Sequence, residues 1–166
     1  SLLRLPKLLI EMIRFGPVAA QIRDLQAVLQ DEKITWLSLV TLPEELPVKE
    51  SAELMAAARD EVGIPVRNVF LNGIYPPLFT PADSGRIESL RSGSTPSALV
   101  PELSDPAGFD TEVRAARHQW IRQKIHEGYL EQLSADASCP VIPIPFYFTN
   151  QLSIREVQEI AAILQP

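Results

Sequence analysis

From Ile34 to Val40 apolar and β-branched residues follow one another almost without interruption, the pattern of a strand buried on both faces. The chain then passes through Thr41-Leu42-Pro43-Glu44-Glu45-Leu46-Pro47-Val48-Lys49-Glu50-Ser51, a Pro- and Glu-rich turn, into an Ala-, Glu- and Leu-rich stretch. This predicts strand, turn and helix, the helix running from about Pro47 to Glu61. Gly63 and Pro65 punctuate a return to a second strand, Arg67 to Gly73. A β-α-β crossover is almost always right-handed and gives parallel strands, so the strand ends near Thr41 and Asn72 emerge on one sheet edge.

Helical periodicity brackets this unit. Leu5, Leu8, Leu9, Met12 and Ile13 predict an amphipathic helix over Leu2–Phe15, broken by Gly16-Pro17. Val18, Ile22, Leu25, Val28 and Leu29 predict a second helix, so that residues 1–33 form a short helical segment. Residues 34–166 form the α/β part. Within it the Pro-, Gly-, Ser- and Thr-rich stretch 76–109 reads as a long mobile loop. A helix from Asp110 to Leu133, capped by Asp110 or Thr111, a strand from Cys139 to Ile144 and a final helix complete the order. Ser153 and Glu156 form a capping-box pattern ahead of a stripe of Ile154, Val157, Ile160, Ala161 and Leu164, which is expected to be buried. Parallel strands with helices on their faces, yet so few strands, give an α/β fold that is one half of a doubly wound, mainly parallel sheet.

Composition narrows the function classes. A chain of 166 residues buries one substantial core. A net charge of −6 and a pI near 5.0 argue against nucleic acid as a partner. Arg114, Arg117, Arg122 and Lys124 lie close together, but the interleaved Glu112, Glu127 and Glu131 make this a solvated helix face rather than an anion site. The single cysteine, Cys139, suits a reducing, cytoplasmic setting. Arg4, Lys7, Glu11 and Arg14 interrupt the apolar opening, no small-residue cleavage site follows it, and no transmembrane segment is expected.

The sequence has no G-x-x-x-x-G-K-[ST] phosphate loop, no G-x-G-x-x-G and no G-x-S-x-G. His118 and His126, eight residues apart on one helix, read as surface histidines. The chemistry-bearing positions are the strand ends: Pro43-Glu44, Asn72, and Pro145-Phe146, all on the same sheet edge. An Asn amide both donates to and accepts from a purine edge, and a proline ring or backbone carbonyl can flank the base, so these positions suit adenine recognition. Asn72-Gly73 also reads as a plain turn former, and Pro145 as the end of a strand.

In order, these residues resemble the carboxy-terminal half of the ArsA-type anion-transporting ATPases and their relatives that target tail-anchored membrane proteins. Val40 to Ser51 looks like the family's strand and Pro-Glu turn, with Glu50-Ser51 at its usual Glu-Thr. Val69-Phe70-Leu71-Asn72-Gly73-Ile74 is similar to the family's V-V-V-N segment, whose Asn contacts adenine. Val141-Ile142-Pro143-Ile144-Pro145 sits where the family has its L-P loop beside the base. The resemblance implies a sheet of the P-loop NTPase type, a base site at Asn72, Pro145 and Phe146, and Glu44 near the nucleotide or a partner subunit. It also implies ATP and magnesium as cofactors of the parent, and a homodimer and a hydrophobic client as partners. Ser1 to Pro6 looks like the run that follows the family's second switch, which implies a P-loop half upstream and a chain that is catalytically inactive alone. The family's Cys-x-x-Cys zinc motif and long helical insertion have no counterpart here.

Two other classes stay open. One is a non-catalytic interaction module that docks a partner through its helical segment or Pro-rich loop. The other, a self-sufficient small α/β enzyme, has no recognisable nucleophile and base pair to carry it.

Overall fold

The computed structural model describes residues 8, 9, 12, 13, 15–80, 82, 83, 85 and 106–165, with 106–110 described by their backbone alone. Of the expected first helix, Leu8, Leu9 and Met12 are helical and the Ile13 N–H donates to the Leu9 carbonyl oxygen at 2.8 Å; the rest of it and most of the expected loop 76–109 lie outside the described residues. In chain order come α1 (Pro17–Gln30), β1 (Leu37–Thr41), α2 (Glu45–Ala57) with a π-helical turn (Ala58–Val62), β2 (Val66–Ile74), α3 (Pro106–Asp136), β3 (Val141–Pro145) and α4 (Ile154–Leu164). The strands form one all-parallel, three-stranded sheet in the order β1-β2-β3. The α/β, parallel reading therefore holds.

Several boundaries move for local reasons. Pro17 starts α1 after Gly16, whose φ of 99° turns the chain into the helix. α2 begins at Glu45 rather than Pro47, because a proline in the first turn lacks only an N–H that would have no partner there. α3 likewise begins at Pro106, so Asp110 and Thr111 sit inside the helix instead of capping it, and 106–109 are helical rather than loop. Gly63, at φ 78°, ends the π-helical turn. The capping box at α4 is present: the Glu156 carboxylate accepts from the Ser153 N–H at 2.7 Å and from its hydroxyl.

The strand order decides where the core sits. Both crossovers step in the same direction across the sheet, so right-handedness places α2 and α3 on the same face. Leu39, Val69 and Leu71 from that face pack with Val48 and Met55 of α2 and Leu133 of α3. Register agrees, since Leu39 pairs with Val69 and Thr41 with Leu71, and alternate residues of a strand share a face. On the opposite face Phe70 and Ile144 are buried, whereas Val40 is 68% exposed. α4 packs on β3, leaving β1 bare on that side, so among the described residues helices do not cover both faces of the whole sheet. None of α4's residues is buried, and Ile154, Val157 and Leu164 of its expected stripe are exposed.

The two sheet edges differ. In a parallel strand both backbone groups of one residue point to the same neighbour and those of the next residue point away. The Leu37 N–H donates to the Pro65 carbonyl oxygen at 2.8 Å, so the groups of Ser38 and Val40 point outward, where no described strand meets them. On β3 the Phe146 N–H donates toward β2, so Val141, Pro143 and Pro145 point outward. Two of those three are prolines and carry no N–H.

Candidate functional site

The carboxyl ends of the strands open onto a cleft of about 480 Å³, within the size range of small-molecule sites. Leu42, Pro43, Glu44 and Glu45 line it from the turn between β1 and α2, Asn72, Gly73 and Tyr75 from the end of β2, and Phe146 from the end of β3. Arg122, Ile125, His126 and Tyr129 of α3 form the remaining wall. Three of the four expected site residues, Glu44, Asn72 and Phe146, thus meet at one cleft. Pro145 stays in β3, paired with Ile74, and places Phe146 without lining the cleft itself. Glu50 is exposed on α2, away from the cleft.

Asn72 is not a turn residue. It pairs with Ile144 inside the sheet, and the register shifts between Asn72 and Ile74, with Gly73 at φ 86° as the extra residue. A glycine in the left-handed region at a bulge lets the strand continue while re-aiming its neighbours. The Asn72 side chain is exposed and makes no hydrogen bond to another described residue. Beyond the bulge the Phe146 N–H donates to the Ile74 carbonyl oxygen at 2.7 Å. Tyr75, Phe146 and Phe148 then form an aromatic wall, with ring centroids 5.3 Å apart for Tyr75–Phe146, 5.1 Å for Tyr75–Phe148 and 4.9 Å for Phe146–Phe148.

Sequence reading placed His126 and Arg122 on a solvated surface; Arg122 is exposed as expected, but His126 is buried. His126 is 6% exposed, and its Nδ1 accepts a hydrogen bond from the Tyr75 N–H at 3.1 Å. Burial, with the Arg122 guanidinium second, holds its pKa below the usual histidine value, against a smaller opposing pull from Glu44. Arg122 lines the cleft one turn before His126 and makes no ion pair with a described residue. His118 is exposed, as expected. One turn before His126, the buried Gln123 side chain clamps Phe79, accepting from its N–H at 3.4 Å and donating to its carbonyl oxygen at 3.3 Å. The spacing of Arg122, Gln123 and His126 along one side of α3 was the available signal, though nothing in it names Tyr75 or Phe79 as the partners.

The cleft combines a free amide, two acidic side chains, a guanidinium and a wall of mutually tilted aromatic rings at the strand ends where open α/β sheets bind ligands. Such a set suits a planar heterocycle with hydrogen-bonding edges. Among the described residues no helix is long and apolar enough to cross a membrane. No protein-family model matches the chain, and no curated protein matches it.

Proposed function

We propose that this chain is the adenine-recognising half of an ArsA-like ATPase, which couples ATP binding and hydrolysis to the handling of an anion or a membrane-protein client once a P-loop half joins it. The observation that carries the reading is the meeting of Glu44, Asn72 and Phe146 at one cleft on the carboxyl ends of parallel strands. The Asn72 amide offers a donor and an acceptor to a purine edge, and Phe146, its ring tilted 39° to that of Tyr75, offers an apolar face beside it. These residues fit the base end of ATP. The reading assigns the phosphates and magnesium to the P-loop and switch groups of the other half, and leaves this chain catalytically silent by itself.

The outward-facing backbone groups of Ser38 and Val40 support a half-domain, because an added parallel strand would pair there and cover the bare side of β1. The rival reading, a non-catalytic interaction module, draws on the exposed Val18, Leu25 and Val28 of α1, which a second subunit or a hydrophobic client would equally use.

Nuclear magnetic resonance titration of the isotope-labelled chain with ATP and with GTP separates the two. The expected result is weak, saturable shifts at the amides of Asn72, Gly73, Tyr75 and Phe146, larger for ATP and lost in Asn72→Ala. Shifts that persist in Asn72→Ala, or none at the cleft, would remove the base site and leave the interaction module standing.

A further inference from the structure

The aromatic wall is held from the side by one imidazole nitrogen. Because the His126 Nδ1 accepts the Tyr75 N–H, the neutral ring carries its proton on Nε2. The same ring meets Tyr75 edge to face at 4.8 Å, and Tyr75 is the residue that touches both Phe146 and Phe148. A single acceptor thus fixes the backbone at the hub of the cluster.

We propose that His126 is a positioning residue for the cleft, and that protonation of its imidazole releases Tyr75 and with it the Phe146 face of the wall. A doubly protonated ring is a donor at both nitrogens, so Nδ1–H would face the Tyr75 N–H and leave that amide without its acceptor. Release is local, because the Gln123 clamp on Phe79 does not titrate and holds the next stretch of the segment to α3. The groups facing the ring set where this happens. Burial and Arg122 on the same helix oppose the charge, Glu44 from the turn between β1 and α2 favours it, and the Tyr75 ring after β2 meets the imidazole edge to face. The switch therefore works on acidification below the usual histidine range. Its effect on ligand affinity rests on the reading of Phe146 as the base-facing ring; the hold on Tyr75 does not.

Amide hydrogen exchange across about pH 8 to about pH 5 tests the hold directly, with Phe79 as internal reference. In the native chain Tyr75 protection should fall by roughly tenfold relative to Phe79 as the His126 ring nitrogens titrate. His126→Asn, which keeps an acceptor near the Nδ1 position but cannot titrate, should keep Tyr75 protected at both ends of the range. His126→Phe, which keeps the ring edge and loses the acceptor, should leave it unprotected throughout. Protection that stays flat while His126 titrates in the native chain, or that follows pH in His126→Asn, overturns the proposal. Should His126→Phe fail to fold, the native chain and His126→Asn still decide. ATP titration of the same samples separates the two readings. No binding at any pH, with Tyr75 still under His126 control, would count against the nucleotide site alone. Binding whose affinity ignores pH in the native chain would overturn the regulatory role.

Discussion

The Phe146 N–H reaches across to the Ile74 carbonyl oxygen at 2.7 Å, past a glycine at φ 86° that lets β2 and β3 fall back into step. That bond makes Gly73 the residue on which the aromatic wall depends. A Cβ there would find room, its nearest heavy atom being Phe146 Cδ2 at 3.9 Å, so the cost of Gly73→Ala is conformational rather than steric. We expect it to destabilise the fold by about 1 to 2 kcal/mol, the usual penalty for a left-handed L-residue. Urea unfolding, with an unchanged slope against denaturant, is the measurement.

Gly63 should be less tolerant. It too has a positive φ, of 78°, and a Cβ on it would come within 2.8 Å of Gln30 Nε2, the atom that donates to the Val62 carbonyl oxygen at 2.8 Å. Gly63→Ala therefore combines backbone strain with loss of a link between α1 and the rest of the fold. The expected loss is about 2 to 3 kcal/mol, against about 1 kcal/mol for Gln30→Ala, which removes the link alone. Equal losses in the two variants would argue that the backbone at Gly63 carries no strain.

Thr41→Val should stabilise. Thr41 is buried at the end of β1, and its Oγ1 has no hydrogen-bond partner among the described residues. Replacing the hydroxyl by a methyl removes an unsatisfied polar atom at nearly constant volume, with an expected gain of about 1 kcal/mol. A loss of stability on thermal unfolding would mean that the hydroxyl has a partner after all.

Stability should fall on mild acidification, in part through His126. Its pKa in the folded chain lies below the usual value, so between the two the unfolded chain binds a proton that the native chain does not. The contribution is nil above about pH 6.5, grows as pH drops through that value, and is fully developed below the folded pKa. His126→Asn has no such proton to take up. The stability of the native chain relative to this variant should therefore decline as pH is lowered from about 7.5 to about 5, and a constant difference would count against a depressed pKa.

How much of this was legible in the residues varies by cause. The strands were legible in kind, because runs such as Val69–Leu71 are apolar in a way that few alternatives satisfy and parallel pairing follows from a crossover rule. But the buried strand expected over Ile34–Val40 is β1 at Leu37–Thr41, with Ile34 and Trp36 exposed outside it and only alternate residues buried. Glu44, Asn72 and Phe146 converge because parallel strands deliver their ends to one edge. His126 was not legible, since its acceptor role depends on an amide 51 residues away. Nor was the bulge, because Asn-Gly has the same appearance in a turn and in a strand that must slip by one residue. The α4 stripe shows a further limit: periodicity tells which face of a helix is apolar, not whether anything covers it.

The prolines of β3 bear on how copies of this molecule would meet. Head-to-tail stacking of β1 on β3 would add strands without end, and the outward side of β3 offers a single N–H donor, that of Val141, beside its carbonyls to sustain it. Two copies joined through β1 about a two-fold axis would instead use up both receptive edges at once. The asymmetry of the sheet thus works against an open filament propagated through β3, whichever strand comes to lie against Val40.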